Sequence, residues 1–172
     1  MKSLFGGIKS FKIELPTGSC KKAMFSIQRM NMEHAHFLFE WRNDEVTRTN
    51  SFSSEKIEWE AHVSWIERKA KEPEHHLIFF SGSTPVGRFS LDSDFEISIL
   101  VSPEKRGQGI GTRMLKQAIE YLRSRNVRET LRAYIKTENK PSIRMFSAAG
   151  FRQAEAEVQL HGSKSLLFLL DA

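Results

Sequence analysis

Apolar and polar positions along the chain follow helical and strand periods in turn, and together they predict an α+β domain. The clearest predicted helix covers residues 109–123, where six apolar side chains form one stripe. Three further helices are predicted over residues 33–42, from Ser54 to the residue before Pro73, and over residues 141–149. Seven segments are predicted to be strands, and they cover residues 24–30, 76–80, 85–91, 95–101, 130–135, 151–158 and 165–170.

The predicted strand over residues 95–101 ends in an irregular pattern. Its alternation fails at Ile99, Leu100 and Val101, where three apolar residues run together. A β-bulge gives such a pattern, and so does a strand end that is buried on both faces.

Length and composition predict one domain over residues 23–172, preceded by an appendage over residues 1–22 that contains a possible short strand, FKIEL. The only cysteine, Cys20, excludes an internal disulfide framework and a cysteine-based zinc site, and fits a reducing cytoplasmic setting. No apolar run approaches the roughly 20 residues that span a bilayer. Neither a signal peptide nor a membrane span is expected, and the six histidines show no metal-ligand spacing, so no metal is expected.

The formal charge of +5 is distributed unevenly along the chain. Residues 1–22 carry a net +4, residues 23–101 a net −5, residues 102–152 a net +8, and residues 153–172 a net −2. The third segment therefore suggests an anionic partner, although a solvated helix face rich in arginine and lysine has the same composition.

A glycine-rich turn lies between the strand ending at Val101 and the predicted helix from residue 109. Glycines 107, 109 and 111 allow a ligand to approach the backbone closely. The first N–H groups of a helix have no intrahelical partners and lie at the positive end of its dipole, so this strand–turn–helix segment favours a phosphate or pyrophosphate. The spacing G-x-G-x-G is neither that of a P-loop nor that of the dinucleotide fingerprint.

Two motifs in this chain resemble those of the GCN5-related N-acetyltransferases (GNAT), which bind acetyl-CoA. Residues 106–111, RGQGIG, are similar to the family's R/Q-x-x-G-x-G/A signature, and residues 139–151, NKPSIRMFSAAGF, are similar to its N-x-x-A/S-x-x-x-Y…G-F pattern. The resemblance implies a GNAT fold, a mixed, mostly antiparallel V-shaped sheet of about seven strands flanked by about four helices. It also implies that acetyl-CoA is the cosubstrate.

The resemblance further implies which residues bind the cofactor. Main-chain groups of Ile99, Leu100 and Val101 would hold the pantetheine arm. The pyrophosphate would lie on backbone amides of the turn, which are those of Arg106, Gly107, Gln108, Gly109, Ile110, Gly111 and Thr112. From the second motif, Asn139 and Ser142 would contact the cofactor and Phe146 would pack near the thioester.

Catalytic candidates lie on the predicted strand that precedes the turn. Glu96 and Ser98 alternate onto one face, and Glu96 matches a position where relatives often place a carboxylate base, although an exposed strand glutamate is the alternative. By analogy, a backbone N–H of Leu100 or Val101 would support the developing oxyanion. Phe146 stands where many relatives have a tyrosine acid, so Ser142, Ser147 or Tyr134 replaces it or the thiolate leaves unassisted.

The acceptor is expected to contact the N-terminal helices. W-R-N at 41–43 and His62 followed by Trp65 resemble the aminosugar-nucleotide N-acetyltransferases of the pseudaminic acid pathway, which implies Arg42 and His62 as substrate-binding residues. A guanidinium binds a diphosphate bidentately. Alternatively, Trp41 and Trp65 are core residues and Arg42 pairs with a nearby carboxylate.

The leading hypothesis is therefore transfer of acetyl from acetyl-CoA to a primary amine of a small molecule, specifically a nucleotide-linked aminosugar. The alternatives are a protein or peptide N-acetyltransferase, which the acidic balance of residues 23–101 would favour, and a non-catalytic acetyl-CoA-binding module, which Phe146 suggests. The basic third segment has no helix-turn-helix pattern, so its charge indicates coenzyme A rather than nucleic acid. A homodimer is left open.

Overall fold

The computed structural model describes residues 12–13, 25–72 and 75–171, which form eight strands and five α-helices. The helices are α1 (Ala35–Asn43), α2 (Glu45–Asn50), α3 (Trp59–Lys69), α4 (Ile110–Ser124) and α5 (Lys140–Ala148). The strands are β1 (Lys12–Ile13), β2 (Ser26–Arg29), β3 (His76–Ser81), β4 (Thr84–Leu91), β5 (Ile97–Val101), β6 (Leu131–Lys136), β7 (Arg152–Leu160) and β8 (Ser163–Leu170). Apart from β1, the predicted appendage over residues 1–22 lies outside the described residues.

The strands form two antiparallel sheets that meet along β5 and β6. One sheet has the order β1-β2-β3-β4-β5 and the other β6-β8-β7. A single parallel bridge between Glu96 and Arg132 joins them, with the Arg132 amide donating to the Phe95 carbonyl at 2.9 Å. In the part of the chain that the structure describes, no strand pairing joins β5 to β6 beyond this point, so a gap opens between them. The α+β class and the splayed sheet are confirmed.

The apolar run at the end of β5 packs on both faces of the strand, without a bulge and without full burial. The register between β4 and β5 is continuous from Leu91–Ile97 to Gly87–Val101, so β5 contains no bulge. Ile99, Leu100 and Val101 are only partly buried, so the strand end is not fully buried either. Ile99 and Val101 pack on one hydrophobic cluster and Leu100 on another. The run reflects a strand with an apolar cluster on each face.

Two hydrophobic clusters cover the two faces of the larger sheet. The larger cluster includes the buried stripe of α4, with Met114, Leu115 and Ala118 fully buried against strand residues such as Phe89. The smaller one packs α1 and α3 on Ile78, through Leu38 and Ile66. Within the described residues, no helix is long and apolar enough to cross a membrane.

The short helix α2 was not predicted. The predicted helix over residues 33–42 corresponds to α1, which has Asp44 as its C-cap. The same residue is the N-cap of α2, because its carboxylate accepts a hydrogen bond from the Thr47 amide at 2.9 Å. One aspartate therefore produces a sharp change of direction between two helices.

Candidate functional site

The glycine-rich turn opens onto α4 as the sequence predicted. Gly107 and Gly109 have φ angles of +74° and +70°, a conformation that side chains with a Cβ disfavour. The backbone hydrogen bonds stop at Arg106 N to Pro103 O (3.5 Å) and resume at Arg113 N to Gly109 O (3.3 Å). The amides of residues 107–112 therefore remain for a ligand at the positive end of α4.

Two other glycines allow α4 to lie close to its neighbours. A Cβ on Gly111 would lie 2.5 Å from the Met145 sulfur and 3.1 Å from Val101 Cγ2. A Cβ on Gly87 would lie 2.3 Å from Met114 Cε and 2.5 Å from the Leu100 carbonyl oxygen. Gly87 was not singled out from the sequence, because only the register of β4 against β5 shows what it faces.

The Arg106 side chain is used within the protein. Its guanidinium forms an ion pair with Asp44 at 2.7 Å and donates to the Thr47 hydroxyl at 2.7 Å. These contacts tie the glycine-rich turn to the junction of α1 and α2. Arg106 is thus an anchor for the turn, and the free amides begin one residue later.

The pairing of β5 with β4 decides which N–H groups of β5 face the gap. Ser102 N donates to Val86 O at 2.9 Å at one end of the β4–β5 ladder, and Asp92 N donates to Glu96 O at 3.1 Å at the other. In an antiparallel ladder hydrogen-bonded pairs alternate with non-hydrogen-bonded pairs, so every second pair between these two ends is hydrogen-bonded. Leu100, opposite Arg88, falls on a hydrogen-bonded pair, and its N–H faces β4. The N–H groups of Ile99 and Val101 face away from β4, toward the gap. The oxyanion donor expected at Leu100 or Val101 is therefore available at Val101 and not at Leu100.

Helix α5 forms another wall of the same gap. Asn139 is its N-cap and accepts from the Ser142 amide at 3.2 Å, and both residues line the cavity. Phe146 does not line it. Its side chain is 3% exposed and packs on Phe151 and Phe168 at ring-centroid distances of 5.0 and 6.3 Å. The resemblance implied that Phe146 packs near the thioester. The side chain instead packs in the core, because position 146 lies on the core side of α5.

These elements enclose a cavity of about 680 Å³, called here the cofactor cavity. Its polar wall contains the turn from Arg106 to Thr112 except Gln108, whose side chain instead donates to the Glu104 carbonyl at 3.1 Å. Lys105 and Arg144 also line it. Free amides, two cations and the unpaired edge of β5 suit a long ligand with a diphosphate at one end and amide groups along its length, as in acetyl-CoA.

A second cavity, of about 570 Å³ and called here the acceptor cavity, lies on the other side of β5. Its floor is a row of cross-strand neighbours, His76, Ser90 and Ser98. Both His76 nitrogens and the Ser90 hydroxyl are buried and have no hydrogen-bond partner among the residues that the structure describes. Burial, together with the charge of Arg88, lowers the pKa of His76 to about 4, so this ring is neutral at pH 7.

Glu96 lines the acceptor cavity at the start of β5. The preceding turn positions it, because the Asp92 carboxylate accepts from the amides of Asp94 (2.9 Å) and Glu96 (2.8 Å). Burial, and then the charge of Asp92, raises the pKa of the half-buried Glu96 carboxyl. Such a shift moves a carboxylate toward the range useful for a general base near neutral pH.

The acceptor cavity is lined by more cations than carboxylates. Arg42, Arg68, Lys69 and Arg88 stand against Asp92 and Glu96. The net charge of −5 over residues 23–101 therefore does not describe the cavity, because Asp92 and Glu96 are the acidic residues among its described lining. Arg88 was missed from the sequence, although a lone arginine within the apolar pattern of residues 85–91 was a usable signal.

Arg42 and His62, the two predicted substrate-binding residues, are in different situations. Arg42 donates to the Ser53 carbonyl at 2.8 Å through Nη2, while its buried Nη1 has no hydrogen-bond partner in the described ranges. His62 is 3% exposed, and its Nε2 lies 3.0 Å from the Ala35 carbonyl oxygen, so it connects α3 to α1. Burial, opposed by this hydrogen bond, lowers the pKa of His62.

The two cavities meet at four residues. Arg42, Arg88, Ser98 and Leu100 line both of them. Arg88 connects the set, since its Nη2 donates to the Ser98 hydroxyl at 2.9 Å. A ligand in one cavity and a ligand in the other would therefore approach each other beside these four side chains. Among the residues described, no three His, Cys, Asp or Glu side chains are grouped to hold a metal ion.

Comparisons with solved structures agree with this architecture. The putative acetyltransferase yncA from Salmonella typhimurium, solved with its cofactor acetyl-CoA, has a TM-score of 0.68 and 19% identity over 87% of this chain and 94% of that one. AAC(6')-Ib, in complex with ribostamycin and coenzyme A, has a TM-score of 0.73 and 15% identity over 87% of this chain and 94% of that one. At such identities the likeness shows the fold alone.

Curated relatives match shorter stretches. An uncharacterized N-acetyltransferase of Methanocaldococcus jannaschii is 39% identical over 57 residues, which are 33% of this chain and 25% of that protein. A putative phosphinothricin acetyltransferase of Bacillus subtilis, YwnH, is 32% identical over 75 residues, which are 44% of this chain and 45% of that protein. The matches thus span less than half the length of either relative.

The family model described as the acetyltransferase (GNAT) family matches residues 35–151. The match begins at α1, includes both cavities and the whole glycine-rich turn, and ends just after α5. Because it covers more than half of the 172 residues, the chain belongs to the GNAT acetyltransferase family and is an acyltransferase.

Proposed function

We propose that this chain transfers the acetyl group of acetyl-CoA to the primary amine of a small, negatively charged molecule. The observation that carries the proposal is the meeting of the cofactor and acceptor cavities at Arg42, Arg88, Ser98 and Leu100. Acetyl-CoA supplies the activated acetyl group as a thioester. Holding two reactants in line at such a junction can lower a reaction barrier by roughly 7–11 kcal/mol.

The cofactor cavity contributes binding and orientation. The amides of residues 107–112 would hold the diphosphate, with Lys105 and Arg144 adding positive charge. The N–H groups of Ile99 and Val101 face the gap, where they can bond an extended amide chain as a neighbouring strand would. The N–H of Val101 is also the candidate donor to the oxyanion, and loss of one such donor costs about 3 kcal/mol in other enzymes.

Proton transfer is assigned to the acceptor cavity. The attacking amine must be neutral, and the cations Arg42 and Arg88 at the junction disfavour an ammonium there by like-charge repulsion. Glu96, whose raised pKa suits a base, would take the proton directly or through water. Of the three hydroxyls considered as acids, Ser142 lines the cofactor cavity, whereas Ser147 and Tyr134 do not.

The charge of the acceptor cavity decides between acceptor classes. Four cations against two carboxylates favour an anionic amine over a cationic peptide. A nucleotide-linked aminosugar is one member of this anionic class, and Arg42 is the residue that would meet its phosphate. His62 gives that specific acceptor less support, since its ring is buried and bonded to Ala35.

Thiol release from acetyl-CoA across a panel of amines tests the proposal. The panel contains nucleotide-linked aminosugars, free amino acids, polyamines and cationic peptides. Release is expected with anionic small molecules, and Arg42→Ala is expected to reduce it while Arg123→Ala, on the exposed face of α4, is not. Release with cationic peptides alone would contradict the acceptor class. Binding of acetyl-CoA with no release on any amine would indicate a non-catalytic module.

A further inference from the structure

Two guanidinium groups at the junction of the cavities have no carboxylate partner within the described part of the chain. Arg88 donates to the Ser98 hydroxyl at 2.9 Å, and its Cζ lies 5.2 Å from the centre of the Trp65 ring. Arg42 donates to the Ser53 carbonyl at 2.8 Å. The ion pairs found within residues 25–72 and 75–171 use Arg106 and Arg152 instead.

Both cations are poorly compensated by the protein itself. Nε of Arg88 and Nη1 of Arg42 are shielded from water and make no hydrogen bond among the described residues. Burial and the proximity of Arg42 lower the pKa of Arg88 to about 10, and burial and Arg48 lower the pKa of Arg42. Both groups remain charged at neutral pH, and an uncompensated buried charge is costly. A bound anion would supply the missing partner.

The position of the pair limits where that anion sits on the acceptor. Because Arg42 and Arg88 line both cavities, they lie at the place where an amine would meet the thioester. An anion held by them must be within a few bonds of the reacting nitrogen. In a nucleotide-linked aminosugar at least two ring carbons and an oxygen separate the amine from the first phosphate, whereas in an α-amino acid one carbon separates amine from carboxylate.

We infer that the acceptor is an α-amino acid, which is an anion once its amine has lost a proton, with its carboxylate bound by Arg42 and Arg88 and its amine directed to the cofactor cavity. The inference rests on the proposed function and names the substrate class of the same site. A guanidinium fork matches a carboxylate in geometry as well as in charge. The apolar walls formed by Leu38, Ile57 and Trp65 would receive the side chain of the amino acid.

The experiment compares L-leucine with L-leucinamide, which differ only in the charged group. Rates of N-acetylation are measured by thiol release and by mass spectrometry of the product. The amine of the amide is the more neutral at a given pH, so intrinsic reactivity favours the amide. We expect kcat/KM for leucine to exceed that for leucinamide at least tenfold, in line with a charge-assisted hydrogen bond.

Variants then connect the preference to the two arginines. Arg88→Met is expected to reduce the leucine-to-leucinamide ratio about tenfold or more, and Arg88→Lys to give an intermediate ratio because charge remains without the fork. Arg123→Met, the same change at an exposed position, is expected to keep the ratio of the unaltered chain. The acid-to-amide comparison on the unaltered chain decides the inference even if a variant fails to fold.

Three results would overturn the inference. Leucinamide could match leucine, a nucleotide-linked aminosugar could exceed every amino acid, or Arg88→Met could raise only the KM for acetyl-CoA. All three leave acetyl transfer itself intact. The second and third also leave the anionic acceptor of the proposed function intact, whereas the first counts against it. Acetyl-CoA binding without acetylation of any amine is the separate result that removes the proposed function itself.

Discussion

The ion pair between Arg106 and Asp44 gives the most direct test of how the glycine-rich turn is held. The two side chains lie 2.7 Å apart and are 29% and 25% exposed, and the same guanidinium donates to the Thr47 hydroxyl. Arg106→Met removes both contacts, while Asp44→Asn removes the charge and keeps a side chain that caps α2. A double-mutant cycle with these two changes isolates the ion pair.

The expected magnitudes follow from this partial exposure. Each single variant should lower the free energy of unfolding by about 1 kcal/mol, with a coupling of about 0.5–1 kcal/mol between them. For a chain of this length, about 1 kcal/mol corresponds to a fall in Tm of about 2–4 °C. Denaturant unfolding at pH 7 gives the four free energies that the cycle needs, and titration with acetyl-CoA gives the Kd of each variant.

The pH dependence of the coupling has a definite sign. Burial acts to raise the pKa of Asp44, but hydrogen bonds from Arg106 and Thr47 outweigh it and the net pKa is lowered. A lowered carboxylate pKa contributes stability above the unfolded value of about 3.9, and this is lost as the pH falls through the folded value. The coupling should be present at pH 7 and fade below about pH 4.

Two results would refute the assignment of Arg106 as an anchor. A coupling of zero at pH 7 would show that the ion pair does not form in solution. Alternatively, Arg106→Met could leave stability unchanged and raise the Kd for acetyl-CoA by more than tenfold. Arg106 would then be a direct ligand of the diphosphate, rather than a residue that positions the turn.

Three further predictions concern single residues of the two cavities. Gly109→Ala should cost about 1–2 kcal/mol because of its φ of +70°, whereas Gly109→Asn should cost less; equal losses in thermal unfolding would contradict this. Gly111→Ala should destabilise by about 1–3 kcal/mol and weaken acetyl-CoA binding, because Val101 Cγ2 is 3.1 Å from the new Cβ; unchanged unfolding and Kd would contradict the close packing. Glu96→Gln should lower kcat about 10²- to 10⁴-fold, and it should remove the fall in rate at acidic pH whose midpoint lies above the usual glutamate pKa. If that fall in rate is retained, the base is another residue. Glu67→Gln on the exposed face of α3 is the control.

Much of the fold was predictable from periodicity, because long amphipathic elements carry their own signal. The stripe of α4 and the strands β3, β4 and β8 were located to within two residues. Helix α2 was missed because EVTRTN contains no apolar stripe; Asp44 caps it, and the tertiary contact from Arg106 to Thr47 holds it against the turn. The sequence left a bulge and a buried strand end open for β5, because a strand with an apolar cluster on each face gives the same run of apolar residues as a bulge.

The site was predictable to the extent that its chemistry is local in sequence. The glycine-rich turn is one continuous segment, and its backbone conformation follows from the glycines. The sequence marks Arg88 only as a lone arginine in an apolar pattern, because its role depends on a cross-strand register opposite Leu100 and on the helix that carries Arg42. The placement of Phe146 depends likewise on which face of α5 meets Phe151 and Phe168.

The most direct test of the central claim follows labelled acetyl groups from acetyl-CoA. The protein is incubated with acetyl-labelled acetyl-CoA and the mixed panel of anionic amines, amides, polyamines and peptides, and the label is located by mass spectrometry. The account predicts label on the amine of a small anionic acceptor, with the rate falling in Arg42→Ala and unchanged in Arg123→Ala. Label found only on peptides or polyamines, or no transfer although acetyl-CoA binds, would contradict it.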